Sequence, residues 1–508
     1  MGEGRAKKSA QNMITGFLYQ ALTLVLSFVS RTVFVQTLGT EYLGLNGIFT
    51  DVLSLLAMAD LGFGTAMAYS FYKPLAEHDE YRIASLIHFY KRVYNVIAIV
   101  VTVCGLACVP FLRYLVKTEQ EIPNLEIYYL FSLANVVLSY LFVYKTTLMT
   151  ADQKDYKLVR IRMWTTTLKT VAQIVILIVA ENYIAYLAIG LSTQLLNNFV
   201  ASKKTEQDYP YIMDKNKIGK VDKEVEQSIF SNMKSVFLYK LSTTLFSATD
   251  NIIISVIVGT AMVGLYSNYL MLSNKLLLVE QIVFSALTAS IGNVIAKDKP
   301  EKRLQIFQAM QSASFIFCGI ITTGFGVMAN DVITVWFSKE FALSSLTVIA
   351  ITLNTYFSCV LQPLWIYRDA TGLYMKTKYV MLIAAILNVV LSIVLGNIMG
   401  VAGIIFASAI ARVSTYFWYE PKLLFKEYFN SSAAGYYKSI LVNVLLVGGS
   451  IALITAITSK LKVDSWSMII LKMLITGILA VVIFMIAYCR TEGFQIIIKK
   501  AKSIIGKK

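Results

Sequence analysis

Long apolar runs separated by short charged gaps organise this chain. Taking runs bounded by charges, Gly and Asn predicts fourteen helices, over residues 13–38, 44–70, 85–112, 125–149, 161–181, 183–202, 229–258, 262–294, 304–329, 343–367, 379–397, 401–419, 439–459 and 467–489. No alternating strand pattern competes with them. About 20 apolar residues carry a helix across a hydrocarbon core roughly 30 Å thick. The expected fold class is therefore an all-α integral membrane protein of about fourteen transmembrane helices.

Composition agrees. Of the 508 residues, 57% are hydrophobic and 15% charged, against about 25% charged in a soluble domain. The formal net charge of +16 could suggest nucleic acid, but that requires the charge gathered on one solvated face, and here it is scattered in short gaps. Sorting the 46 Lys and Arg by the alternating sides of the helices leaves 35 on the side of the N-terminus, 5 on the other and 6 within helices. The positive-inside rule then places both termini in the cytoplasm, in a multi-pass plasma-membrane protein. The first run, 13–38, is too long for a signal peptide and contains Arg31, so it reads as an uncleaved helix. The five cysteines lie in apolar segments without paired spacing, and His78 and His88 lack a ligand constellation. Neither a disulfide framework nor a metal site is indicated, and no phosphate-binding glycine loop or nucleophile motif points to a cofactor or an enzyme.

The longest hydrophilic stretch, residues 203–226, prompts a search for a repeat on either side of it. Gln11–Leu45 lies over Ser231–Leu265 without a gap at an offset of 220, with eleven identities, among them Asn12/Asn232, Phe17/Phe237, Tyr19/Tyr239, Ser27/Ser247, Gly39/Gly259 and Gly44/Gly264. Acidic Asp60 also falls on acidic Glu280. An even number of helices separates the copies, so they enter the membrane from the same side as parallel repeats, a plan found in transporters that rock about a central cavity. The expected organisation is an N-terminal six-helix lobe (1–202), a cytoplasmic linker (203–228), a C-terminal six-helix lobe (229–421), and a last helix pair with a basic tail (422–508). That tail, from Arg490, reads as an interfacial amphipathic helix on membrane lipids or as a disordered basic segment.

Charges at membrane depth are costly and usually face a partner or a hydrated cavity. The expected set is Arg31, Lys169, Lys240, Lys275, Arg412 and Lys472 against the acids Asp60, Asp250 and Glu280, an excess of three cations. Lys472 lies near enough to its helix end to snorkel, whereas Lys240, Lys275 and Arg412 lie deeper and point to a cavity. Lys240, Thr243, Thr244, Ser247 and Asn251 share one face of helix seven, and Gln20, Thr23, Ser27 and Arg31 share the corresponding face of helix one. Two such stripes suit a hydrated cleft; Ser and Thr bonding between helices is the plainer alternative. A cationic cleft favours an anionic substrate. Asp60, Asp250 and Glu280 read as coupling or gating acids, or as permanent ion-pair partners.

The segment RTVFVQTLGTEYLGLNGIFTDVLSLLAMADLGFGTAMAYSFYKPLAEHD (Arg31–Asp79) resembles the polysaccharide flippases of the multidrug/oligosaccharidyl-lipid/polysaccharide exporter superfamily, as does WIYRDATGL (Trp365–Leu373), similar to the short loop after their tenth helix. The resemblance implies a bacterial flippase carrying an undecaprenyl-pyrophosphate-linked oligosaccharide from the inner to the outer leaflet by alternating access, for capsule, exopolysaccharide or cell-wall polysaccharide synthesis. It implies a polyprenyl tail in lipid or in a lateral groove at the last two helices, a cavity role for Arg31, and other polysaccharide-assembly proteins as partners. It leaves the driving force open among sodium, protons and membrane potential. The alternatives are a small-drug exporter of the same superfamily and a polytopic polysaccharide polymerase or ligase. The sign of the cleft opposes the first and the short outer loops the second.

Overall fold

The computed structural model describes residues 2–60, 63–118, 121–219, 221, 223–285 and 288–505; the side chains of Asp60 and of residues 228–236 lie outside the described set. Among the described residues there are twenty α-helices and no strand. The chain divides into two compact units, residues 1–264 and 265–508. The first contains α1 (Gly2–Leu56), α2 (Phe63–Glu77), α3 (Glu80–Cys108), α4 (Leu112–Leu115), α5 (Leu125–Ala151), α6 (Asp155–Ala180), α7 (Tyr183–Asp208), α8 (Lys223–Ser247) and α9 (Asp250–Ile257). Helix α10 (Thr260–Ser285) starts in the first unit and continues in the second. There follow α11 (Thr288–Lys297), α12 (Pro300–Trp336), α13 (Ser345–Val360), α14 (Gln362–Thr371), α15 (Tyr374–Met399), α16 (Val401–Ser414), α17 (Tyr416–Tyr428), α18 (Ala434–Thr458), α19 (Trp466–Tyr488) and α20 (Glu492–Ile505).

Ten of these helical stretches are long and apolar enough to cross a membrane, or eleven when α13 and α14, bent by 44°, form one span. The expected count of fourteen is not reached on length and apolarity, for identifiable reasons. Helix α1 runs through the first predicted span and into the second as far as Leu56, with only Gly39 leaving helical geometry, and the second span then breaks between α1 and α2. The seventh is divided into α8 and α9, and the eighth crosses residues 286 and 287, which lie outside the described residues. The bend between α13 and α14 follows from Pro363 in the first turn of α14, where its missing N–H and fixed φ are tolerated. WIYRDATGL is thus mostly the end of α14 rather than a loop; the turn is at Gly372, with φ of 70°.

Helix starts follow local chemistry. Asp79 accepts from the Arg82 N–H at 2.9 Å at the head of α3, and Asn182 from the Ala185 N–H at 2.9 Å at the head of α7. These caps satisfy amides that have no partner within the helix. Outward faces are apolar, with Val96, Ile99, Val103, Ile178, Ile398, Leu445 and Ile486 all exposed, as a lipid solvent requires.

The repeat has a structural counterpart inside the first unit. Gly39 and Gly259 both have positive φ, 81° and 139°, which glycine adopts without a Cβ penalty. Each is followed by Thr, three residues and Gly. These two segments cross, so that a Cβ on Gly44 would overlap the Thr260 carbonyl and a Cβ on Gly264 would overlap the Thr40 carbonyl. Small residues permit this backbone approach, as in other membrane helix pairs. Thr260 is held further by its N–H donating to the Lys117 carbonyl at 2.7 Å and by a 2.8 Å hydroxyl contact with Ser255.

The stretch expected as a linker begins as helix, because α7 continues to Asp208, and it is tied to the first unit. Lys145 pairs with Glu206 at 2.5 Å, Lys157 pairs with Asp208, Lys217 pairs with Glu80, and Gly219 N–H donates to Ser85 Oγ at 2.9 Å. Asp152, between α5 and α6, receives Lys154 at 2.7 Å, Tyr209 Oη at 2.6 Å and Lys8 at 3.1 Å. Partial burial pushes the Asp152 carboxyl up, but these donors outweigh it and hold the group below its ordinary value of 3.8. A depressed carboxyl stabilises the fold above its unfolded value and loses that contribution as pH falls through the folded one. The thermal stability of wild type relative to Asp152→Asn is therefore expected to be constant near neutrality and to shrink as pH falls below about 4, in detergent-solubilised protein. A difference unchanged down to pH about 3 would contradict this account.

Candidate functional site

In the first unit α1, α6 and α7 each turn a polar stripe toward a common volume. Helix α1 contributes Tyr19, Thr23, Ser27 and Ser30; α6 contributes Arg162, Thr165, Thr166, Lys169, Thr170 and Gln173; α7 contributes Tyr186, Thr193, Gln194 and Asn197. They enclose a cavity of 550 Å³. A second cavity of 390 Å³ adjoins it, formed with Asn46, Thr50 and Ser54 of α1 and Ser132 and Asn135 of α5. Lys169, Gln173 and Tyr186 line both. No Asp or Glu lines either one.

The walls are ordered by their own bonds. Thr165 Oγ1 donates to Asn197 Oδ1 at 3.0 Å, and Gln173 Nε2 to the Tyr186 carbonyl at 3.0 Å. Arg162 stands over the Tyr19 ring at 5.8 Å. At the other end Tyr183 donates to Asn46 Oδ1 at 2.8 Å, inside an aromatic group with Phe34, Tyr42 and Tyr128. Lys169 has no ion pair or hydrogen bond among the described residues.

The residues expected from sequence are distributed as follows. Thr23, Ser27 and Lys169 line the cavity; Arg31 lies next in sequence to the lining Ser30 and interacts electrostatically with Tyr186. Gln20 is half-buried beside the lining Tyr19. On α8, Lys240 and Ser247 are exposed, and Thr243 and Thr244 half-buried, so this stripe faces away from the packed body of its unit. Asn251 instead turns inward and hydrogen-bonds Asp51 of α1 through backbone and side chain, and Asp250 is half-buried at the start of α9.

In the second unit Lys275 is half-buried on α10. Arg412 is 8% exposed in the last turn of α16, over the Phe357 ring at 5.7 Å and beside Tyr416. It is packed into its unit and does not line a described cavity. Glu280 is fully buried; its Oε1 accepts from Ser314 at 3.4 Å and its Oε2 has no hydrogen-bond partner. Among the described residues no Lys or Arg pairs with it. Asp60 falls outside the described side chains.

Two acids escaped the sequence tally. Asp51 lies on α1, and Asp331 of α12 pairs with Lys472 of α19 at 2.5 Å, so Lys472 is ion-paired rather than snorkelling. The cation excess within helices falls from three to one. What remains cationic about the cavities is the position of Lys169 and the lack of Asp or Glu in their lining, rather than a sum over helices. The stripes on α6 and α7 also escaped, although 162, 165, 166, 169, 170 and 173, and 186, 190, 193, 194 and 197, have the helical spacing recognised on helix one.

A second groove, of 460 Å³, lies in the other unit between α12, α13 and α18 and is lined largely by aliphatic side chains such as Val327, Ile349, Leu353, Val444 and Ile451.

Comparison with known proteins gives the fold a setting. The structure of the lipid II flippase MurJ in an inward closed conformation superposes with a TM-score of 0.67 at 16% identity, covering 94% of this chain and 98% of that one. An inward-facing multidrug resistance MATE transporter of the MOP superfamily gives 0.59 at 15% identity over 80% of this chain and 97% of that one. An outward-facing MATE structure gives 0.53 at 14% identity over 82% and 94%. No curated protein sequence matches. The model of the polysaccharide biosynthesis protein family matches residues 43–346, more than half of the chain. With a multi-pass helical fold like that of MurJ and the MATE transporters, the chain belongs to the polysaccharide biosynthesis protein family.

Proposed function

We propose that this protein is a flippase moving an oligosaccharide linked to a polyprenyl pyrophosphate, undecaprenyl in a bacterial host, from the inner to the outer leaflet of the plasma membrane by alternating access. The observation that carries this reading is the polar, acid-free pair of cavities at Lys169 inside a membrane protein of a polysaccharide family whose fold resembles a lipid II flippase. Hydroxyl and amide walls suit sugars, which offer the complementary donors and acceptors. The aliphatic groove at α12, α13 and α18 suits the polyprenyl tail. Both termini face the cytoplasm, as the charge distribution between helices supports, and polysaccharide-assembly proteins supply and consume the cargo.

Arg31, Lys240, Lys275 and Arg412 serve the diphosphate in this mechanism. Glu280, buried with an oxygen that has no hydrogen-bond partner and no cation paired to it among the described residues, fits a group that gains and loses a proton or sodium ion better than half of a permanent ion pair. Asp250 and Asp60 are further coupling or gating acids.

The test is sidedness. In cells lacking the protein, lipid-linked oligosaccharide is expected to accumulate in the inner leaflet, and proteoliposomes with the purified protein are expected to move it. Arg31→Gln is expected to lower that flipping at least about tenfold, the equivalent of 1.4 kcal/mol, with the protein still present in the membrane. Unchanged sidedness in the deletion refutes the flippase. The fold shared with the MATE transporters makes drug export the second reading, favoured if the deletion sensitises cells to cationic drugs while sidedness stays normal.

A further inference from the structure

We propose that the paired cavities of the first unit form a glycan subsite that selects a sugar bearing an oxyanion, a carboxylate or a phosphate, held by Lys169. The inference rests on the flippase reading and deepens it by naming the chemistry of the cargo's head group.

The position of Lys169 is the starting point. It stands at the junction of the two cavities, lining both with Gln173 and Tyr186. A cation withdrawn from bulk water is costly unless a counter-charge satisfies it. Three other withdrawn cations have one: Lys472 has Asp331, Lys145 has Glu206, and Arg368 has Glu420 at 3.4 Å. Lys169 has none, and no acid lines either cavity to supply one. An incoming anion is the missing counter-charge.

The surroundings restrict what carries that anion. Thr23, Ser27, Thr166, Thr193, Gln194 and Asn135 present hydroxyls and amides to the two chambers, matching a polyol better than a bare inorganic ion. Tyr19 and Tyr186 add ring surface, which offers an apolar body with a polar tip. Cavities of 550 and 390 Å³ lie within the range of small-molecule sites, about 300–1,000 Å³. The junction is kept open by a glycine: a Cβ at Gly190 would stand 3.3 Å from Gln173 Nε2 and 3.9 Å from Lys169 Cε. Because those neighbours are the ends of flexible side chains, a larger residue there narrows the junction without breaking the backbone.

The experiment is saturation-transfer NMR on the full-length protein in a non-glycosidic detergent, with glucuronate, glucose 1-phosphate and glucose as probes. Transfer to at least one of the two anionic sugars is expected, with glucose at least tenfold weaker. Transfer to glucuronate alone assigns a carboxylate, and transfer to glucose 1-phosphate alone assigns a phosphate. Lys169→Gln is expected to remove the preference for the anionic probe, and Lys169→Arg to retain it. Gly190→Val, which leaves the lysine in place, is expected to weaken all transfer and decides the matter if Lys169→Gln is not monodisperse by gel filtration. Equal transfer from glucose and the anionic sugars in wild type, anion preference unchanged in Lys169→Gln or, where that variant is not monodisperse, transfer unchanged in Gly190→Val, or no transfer from any probe overturns the subsite. Those results leave the leaflet assay untouched, so normal flipping with no subsite, or a working subsite with no flipping, separates this inference from the flippase reading.

Discussion

Gly264→Leu is expected to be among the most damaging single substitutions in the protein. Helix α10 starts beside α1 with a Cβ-free surface, and the nearest atom to an added Cβ is the Thr40 carbonyl. Backbone cannot rotate away as a side chain does, so the two helices must separate. Overpacking typically costs about 1–3 kcal/mol when side chains absorb it, and here the loss should be at least about 3 kcal/mol. At about 2–4 °C per kcal/mol for a unit of this size, the apparent Tm should fall by roughly 6–12 °C, read by size-exclusion thermostability of the solubilised protein. Gly44→Leu should act similarly through Thr260, since the crossing is reciprocal. A Tm within about 2 °C of wild type for both variants would show that the segments do not cross as closely as described.

The second large effect is expected at the pair formed by Lys472 and Asp331. Their side chains are 10% and 30% exposed and 2.5 Å apart. Lys472→Met removes the cation and leaves Asp331 charged between α12 and α19. Breaking a buried pair costs about 3–5 kcal/mol and an exposed one at most about 1; with one partner partly exposed, about 2–3 kcal/mol is expected. Lys472→Met combined with Asp331→Leu should recover much of the lost Tm, because apolar replacement of both partners can be neutral. A double variant no more stable than Lys472→Met alone would argue that the two residues do not form a pair.

Lys472 shows what reading one helix at a time omits. Its distance from the helix end is local information and suggested snorkelling; its partner lies 141 residues earlier in the chain. Arg412, also read from its depth along one helix, packs against Phe357 and Tyr416, contacts that its own segment does not encode. Helix one was different, because a stripe of Thr23, Ser27 and Arg31 encodes a face, and a face is a local property. The equivalent stripes on α6 and α7 were equally legible in their spacing and were passed over because the search began from charges.

Helix content, membrane insertion, the repeat at an offset of 220 and the bend at Gly39 are inscribed in the order of residues, since each depends on the composition or periodicity of one segment. Which stripes share a volume is a different kind of fact. It depends on the rotation and neighbours of helices far apart in the chain, so only folding brings Thr23, Lys169 and Tyr186 around one cavity, gives Lys472 its acid, and leaves Lys169 without one.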